Sequence, residues 1–104
     1  MKTYYHVTPK ENLSSIMQNG LIPHVGERTK ELNESKAVFL FPTEEDMEDA
    51  LQNWLGDCFD EDIELVCLKI VLPDDFPIQD SCVDWEKISK VTIPPQYIFL
   101  QEAL

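Results

Sequence analysis

The sequence predicts an α+β domain whose two helices come early and whose strands, mainly antiparallel, make up the later part. Three observations carry this. Two segments, opening at Thr8 and Thr43, combine a capping pattern with apolar residues at helical spacing. Short runs of β-branched and aromatic residues recur along the chain and dominate it after the second helix. No helical pattern separates those later strands, as a doubly wound parallel sheet would require. The 104 residues, 43% of them hydrophobic, suffice for one core and not for two, so residues 1–104 read as a single domain.

Residues 3–7 form the first strand, with Tyr4, Tyr5 and Val7 at its centre. A helix is expected to start at Thr8, with Thr8 as the cap, Pro9 in the first helical position and Glu11 closing a capping box. Leu13, Ile16, Met17 and Gly20 follow at i, i+3, i+4 and i+7, and Gly20 suits a left-handed helix end. Leu21, Ile22 and Pro23 begin an extended piece. Residues 24–36 are polar and aperiodic, and an irregular segment of that length in a small domain reads as a binding loop. Residues 37–41 (Ala-Val-Phe-Leu-Phe) make a buried strand that Pro42 ends. A second helix follows Thr43, its apolar stripe being Met47, Ala50, Leu51, Trp54 and Leu55, with a stop near Gly56. The long strand 63–72 comes next, then a loop over 73–80, extended pieces over 81–85 and 86–93, a break at Pro94-Pro95 and a last strand over 96–100.

Charge is the strongest compositional signal. Eight basic and twenty acidic residues give a net charge of −12. The imbalance is local: residues 1–36 carry five basic and four acidic side chains, whereas residues 37–104 carry three and sixteen. Ten acids and no base lie between Glu44 and Glu64. Such a surface repels phosphate backbones, which argues against nucleic acid as a partner. The acidic run is a solvated face or a patch for a basic protein partner. It lacks the alternating ligands and central glycine of a calcium loop.

Other classes fall away on composition. Three glycines leave no phosphate loop after any strand, so Rossmann and P-loop readings fail. Cys58, Cys67 and Cys82 include no C-x-x-C pair and form no disulfide framework. Cys67, inside an apolar strand, reads as a small buried hydrophobe. No metal site is expected. Neither a membrane span nor the apolar core of a secretion signal is visible, so a cytoplasmic location is expected.

Three segments spanning most of the chain resemble the ADP-ribosyltransferase-like fold, closest to the small bacterial branches of RNA 2′-phosphotransferases and DarT-type toxins. The first is Tyr5-His6-Val7-Thr8 with the helix running to Gly20-Leu21-Ile22-Pro23. The second is Ala37-Val38-Phe39-Leu40-Phe41-Pro42-Thr43 with the helix holding Met47 and Ala50. The third runs from Trp85-Glu86 to Ile93-Pro94-Pro95-Gln96-Tyr97-Ile98. The resemblance implies a split, mainly antiparallel sheet and NAD as substrate. It implies that His6 bonds the ribose beside Thr8, and that an aromatic, Phe39 or Phe41, stacks on nicotinamide. Glu86 is then the catalytic carboxylate. Neither phenylalanine carries the hydroxyl of the family's usual tyrosine.

The residue types suit that chemistry. Breaking the nicotinamide–ribose bond builds positive charge on the sugar, which a carboxylate stabilises. Arg28, the chain's one arginine, lies in the candidate loop and offers a bidentate fork for pyrophosphate. The bland readings stand beside these: His6 as a hydrogen-bonded strand-end residue, Phe39 and Phe41 as core, Glu86 as an exposed strand charge. A second alignment puts Gln96 where eukaryotic-type transferases have their glutamate, and then the chain has no catalytic acid. Two functions therefore compete: an NAD-dependent transferase of ADP-ribose, and an inactive module of the same fold that binds a nucleotide or a basic protein. The transferase reading expects His6, Arg28, Glu86 and one phenylalanine around a single cleft, with the acidic face elsewhere.

Overall fold

The computed structural model describes residues 1–23, 37–53, 62–80 and 86–103. The described residues form a small α+β domain with two α-helices and antiparallel sheets, as the sequence predicts. In chain order the described elements are β1 (Lys2–Pro9), α1 (Leu13–Asn19), β2 (Val38–Leu40), α2 (Glu44–Asn53), β3 (Leu65–Leu72), β4 (Gln79–Asp80), β5 (Lys87–Ser89) and β6 (Ile98–Ala103). One sheet has the order β1-β3-β6 and the other β2-β5-β4, every pairing antiparallel. No described helix is long and apolar enough to cross a membrane.

The central strand β3 divides the core. Its register with β1 (Tyr4 opposite Ile70, His6 opposite Leu68, Thr8 opposite Val66) sets even-numbered side chains of both strands on one face. There Tyr4, Val66, Leu68, Ile70, Leu72 and Ile98 pack with Ile16 of α1, Val38 and Leu40 of β2, and Leu21 and Ile93. The opposite face is smaller. Val7 and Cys67 meet Met47 and Ala50 of α2 together with Phe41. Each sequence stripe thus finds a separate half of the sheet to cover, α1 one face and α2 the other.

Several boundaries differ from the sequence reading. The strands expected over 37–41, 63–72 and 86–93 are Val38–Leu40, Leu65–Leu72 and Lys87–Ser89, and four further differences have a tertiary setting. Thr8 and Pro9 belong to β1, where Thr8 pairs with Val66 and Pro9 with Leu65. The chain enters α1 through a 3₁₀ turn at Lys10–Asn12 with no side-chain cap, so Thr8 caps nothing. The long partner strand β3 outweighs a local capping preference: continuing the ladder satisfies backbone groups that a helix start would leave open. Leu21 joins Ile93 in one isolated bridge rather than a strand. At the C-terminal end Pro95–Tyr97 forms a 3₁₀ turn, and the last strand runs Ile98–Ala103 instead of 96–100. Within the expected loop over 73–80, Gln79 and Asp80 pair with Ile88 and Lys87.

Other local readings hold. Thr43 Oγ1 accepts from the Asp46 N–H at 3.0 Å, the capping bond expected for α2. Cys67 is fully buried, its thiol against the Met47 thioether. Trp54, Leu55, Gly56, Cys58, Cys82 and the stretch 81–85 lie outside the described residues.

Gly20 ends α1 as expected, with φ of 84° and its N–H bonded to the Ile16 carbonyl at 2.7 Å. A Cβ there would stand 2.2 Å from the Ile93 carbonyl oxygen. That oxygen cannot retreat easily, because it accepts from the Leu21 N–H at 2.9 Å and Ile93 donates back to Leu21. Gly20→Ala is therefore expected to cost about 2 kcal/mol or more. In a domain of this size that lowers the melting temperature by roughly 10 °C. A shift under a few degrees in calorimetry would show that the bridge gives way without cost.

Candidate functional site

The two sheets touch through their first strands, and the geometry there decides where a ligand could enter. Tyr5 and Phe41 exchange both backbone hydrogen bonds, each 2.8 Å. In an unbroken antiparallel ladder the next exchanging pair would be two residues on, Val7 with Phe39. That exchange is absent. Instead His6 Nδ1 donates to the Phe39 carbonyl at 2.7 Å, so the imidazole does the work of the missing backbone donor. Beyond Tyr5 the sheets separate, and His6 stands where they part.

The carbonyl can only accept, which makes Nδ1 the protonated nitrogen. In the neutral ring Nε2 is then the acceptor. The ring is half-buried. Thr8 lies two residues along on the same face and is buried. His6 lies inside β1, which runs on to Pro9, rather than at the strand end the sequence suggests. Its ring is hydrogen-bonded as in the bland reading, held in one tautomer and one orientation.

The other expected site residues distribute as follows. Phe39 is half-buried, in register with Ile88, and its carbonyl holds His6. Phe41 is buried in the smaller core with Val7 and Met47, which leaves its ring no open face for stacking. Glu86 is not the exposed strand charge the sequence suggests: its exposed fraction is 0%. The register of β2 with β5 runs Phe39–Ile88, Leu40–Lys87. Glu86 itself directly precedes β5, and the β2–β5 pairing ends at Leu40 and Lys87, one residue short of Phe41. No buried side-chain nitrogen or oxygen of the described residues lacks a hydrogen-bond partner, the Glu86 carboxylate included. Gln96, the alternative acid position, is exposed in the 3₁₀ turn. Arg28 and the loop 24–36 lie outside the described residues.

A feature the sequence did not signal lies further along the same face. A cavity of about 230 Å³ is lined by Lys2, Tyr4, Leu72, Phe76, Asp80 and Lys87 among others. None of the expected site residues borders it. Lys87 forms an ion pair with Asp80, which holds that carboxyl below its ordinary value, chiefly through the hydrogen bond. Only the tertiary pairing of β4 with β5 brings these two together, and residue types at sequence spacing could not have announced it. Among the described residues no cluster of three or more His, Cys, Asp or Glu side chains could hold a metal ion.

The acidic helix is set apart from His6. α2 packs on the Val7–Cys67 face of the central sheet, while His6 points to the Tyr4–Leu68 face. Comparison with protein-family models, with curated proteins and with solved structures finds no match.

Two outcomes are expected of this joint. His6→Ala orphans the Phe39 carbonyl and should cost about 1–3 kcal/mol. His6→Asn puts an amide donor near the Nδ1 position and should recover most of that loss. Equal melting points for the two variants would mean that the hydrogen bond is not what matters. The second outcome concerns Tyr5, whose phenol is held above its ordinary value first by burial, then by Glu44 and Cys67. A raised folded-state value favours the protonated phenol, so its stabilisation is complete below pH about 10 and is lost as pH rises through the folded-state value. Urea denaturation should show stability falling faster above pH 10 in the wild type than in Tyr5→Phe.

Proposed function

We propose that this domain binds NAD, or a nucleotide built like it, where its two sheets part, in the manner of an ADP-ribosyltransferase-like protein. The observation that carries the reading is the His6 imidazole at the split, fixed by the Phe39 carbonyl. A ribose hydroxyl is a donor, and the tautomer that Phe39 imposes presents Nε2 as acceptor. Phe39 supplies the carbonyl that fixes the ring, and Thr8 shares the histidine's face. The resemblance of the three sequence segments supplies the ligand class. NAD is a substrate in that reading, and His6 suits its ribose; Arg28 is the proposed pyrophosphate contact.

Transfer of ADP-ribose to an acceptor is the stronger form of the proposal, with Glu86 as the carboxylate facing the charge that develops on the sugar. One observation favours the weaker form, a binding module without catalysis: Glu86 has no exposed surface and its oxygens are already bonded. A carboxylate committed to the fold stabilises the fold. It serves chemistry only if the bound substrate reaches it.

Isothermal titration with NAD and with ADP-ribose, combined with an assay of NAD turnover, separates the two forms. If Glu86 is catalytic, Glu86→Gln should lower turnover by about 10²–10³ while leaving NAD affinity unchanged. If it is structural, the wild type binds without turnover and Glu86→Gln lowers the melting temperature instead. His6→Asn should weaken binding under either form, because Asn lacks the Nε2 acceptor even though it restores the bond to Phe39. Failure of both ligands to bind would remove the nucleotide reading altogether.

A further inference from the structure

We infer that the outer edge of β6 is a docking site for an extended, basic segment of another protein, which would add to the sheet as a further strand. β6 is the last strand of its sheet among the described residues. A strand in that place presents a row of backbone donors and acceptors that another chain can pair with. Natural edges are commonly guarded by charge or proline, yet this one carries two consecutive large apolar side chains. Phe99 and Leu100 are each 51% exposed, and adjacent strand residues point to opposite faces. An incoming strand would therefore find an apolar contact on both sides of the sheet.

The charge beside the edge selects the partner. Phe99 pairs with Lys69, which pairs in turn with Tyr5, so its ring belongs to the face that α2 covers. Gln101 Nε2 donates to Glu44 Oε1 at 2.7 Å, which ties the first residue of α2 to β6. Glu44, Glu45, Glu48 and Asp49 of that helix are exposed. Lys69 is the cation on this row and is outnumbered. In an alternating segment the basic residues would lie on the α2 face, their aliphatic stems over Phe99 and their charges toward the helix acids. The apolar residues would meet Leu100 on the opposite face. A second copy of this chain fits worse, because it brings its own acidic helix to the same place.

The bulge between β3 and β6 defines the register available. Leu68 faces Leu100 but Cys67 faces Glu102, leaving Gln101 as the extra residue. Regular pairing on the outer side is thus confined to residues 98–100, so a short segment suffices.

The test uses the full chain and a capped seven-residue peptide of alternating valine and lysine. Two controls are a valine–glutamate peptide and a valine–lysine peptide with its central valines replaced by proline. Proline keeps the charge and removes the backbone donors. The expected result is saturable binding of the first peptide only. Amide exchange should slow about tenfold at Ile98 and Leu100, whose backbone groups point outward, and stay unchanged at Phe99, which faces Lys69 of β3. Replacing both Phe99 and Leu100 by Ser should weaken it about tenfold, and Glu44→Lys with Glu45→Lys about fivefold, both without loss of fold. Equal binding of the proline peptide would show that charge alone attracts it and would overturn the proposal. So would protection at other strands, or dimerisation of the free chain through β6 in sedimentation.

Discussion

Everything in this domain turns on one backbone exchange, the pair of 2.8 Å hydrogen bonds between Tyr5 and Phe41. Through it the two three-stranded sheets act as one folded surface, and by stopping there it lets them part. A second exchange at Val7 and Phe39 would have zipped β2 onto β1 and closed the split. The cost of leaving the Phe39 carbonyl without a backbone donor, about 1–3 kcal/mol if it stayed unbonded, is met by His6 Nδ1. Sequence places that side chain one residue from the exchange, and the pleat turns it to the face opposite Tyr5. The imidazole is therefore structural at one nitrogen whatever the other nitrogen does. Its ligand role in the proposed function rests on this rigidity, because a histidine free to rotate would offer a ribose neither a fixed tautomer nor a fixed direction.

The same joint explains the division of the core. β3 lies under both cores, and its residues alternate between them: Val66, Leu68, Ile70 and Leu72 on one side, Cys67 on the other. The larger side receives α1, β2 and the Leu21–Ile93 bridge; the smaller receives α2. Phe41 belongs to the smaller side while its neighbour Leu40 belongs to the larger, so the chain through β2 presents alternate side chains to the two cores, as β3 does. A buried carboxylate is expensive to keep unless its oxygens are bonded. Glu86 meets that condition.

Much of this was legible in the sequence, and what was missed has a common cause. Patterns of period 2 and 3.6 located β1, β3, both helices and the Gly20 stop, since each depends on local alternation and on a face to bury. The capping pattern at Thr43 was read correctly, whereas the identical logic at Thr8 failed. The difference is tertiary: Thr8 has Val66 beside it on β3 and continues the ladder, while Thr43 has left its strand. The burial of Glu86 was invisible for the same reason, because a charged residue at a strand end looks exposed until its neighbours are known. Of the proposed site, His6 was singled out as a strand-end residue, whereas β1 continues past it to Pro9. The bond of His6 to a carbonyl 33 residues away in sequence could not be foreseen.

The charge distribution raises a physical objection to any nucleotide on this chain, and the fold answers it. A net charge of −12 should repel a ligand with two phosphates. The excess begins with α2, however, and α2 is packed on the face of the central sheet that His6 does not share. A helix layer on a sheet stands about 10 Å away, with its exposed side chains further out. That separation is comparable with the screening length of 8–10 Å at physiological ionic strength. Residues 1–36, which include His6 and Thr8, carry five basic and four acidic side chains, a net charge of +1. The sheet thus stands between the split and the acids of α2, while the far field of the whole chain opposes longer polyanions such as nucleic acid. Under the proposed function, short-range recognition of a small nucleotide and long-range rejection of a polymeric one would be compatible, because the sheet lies between the split and the acids of α2.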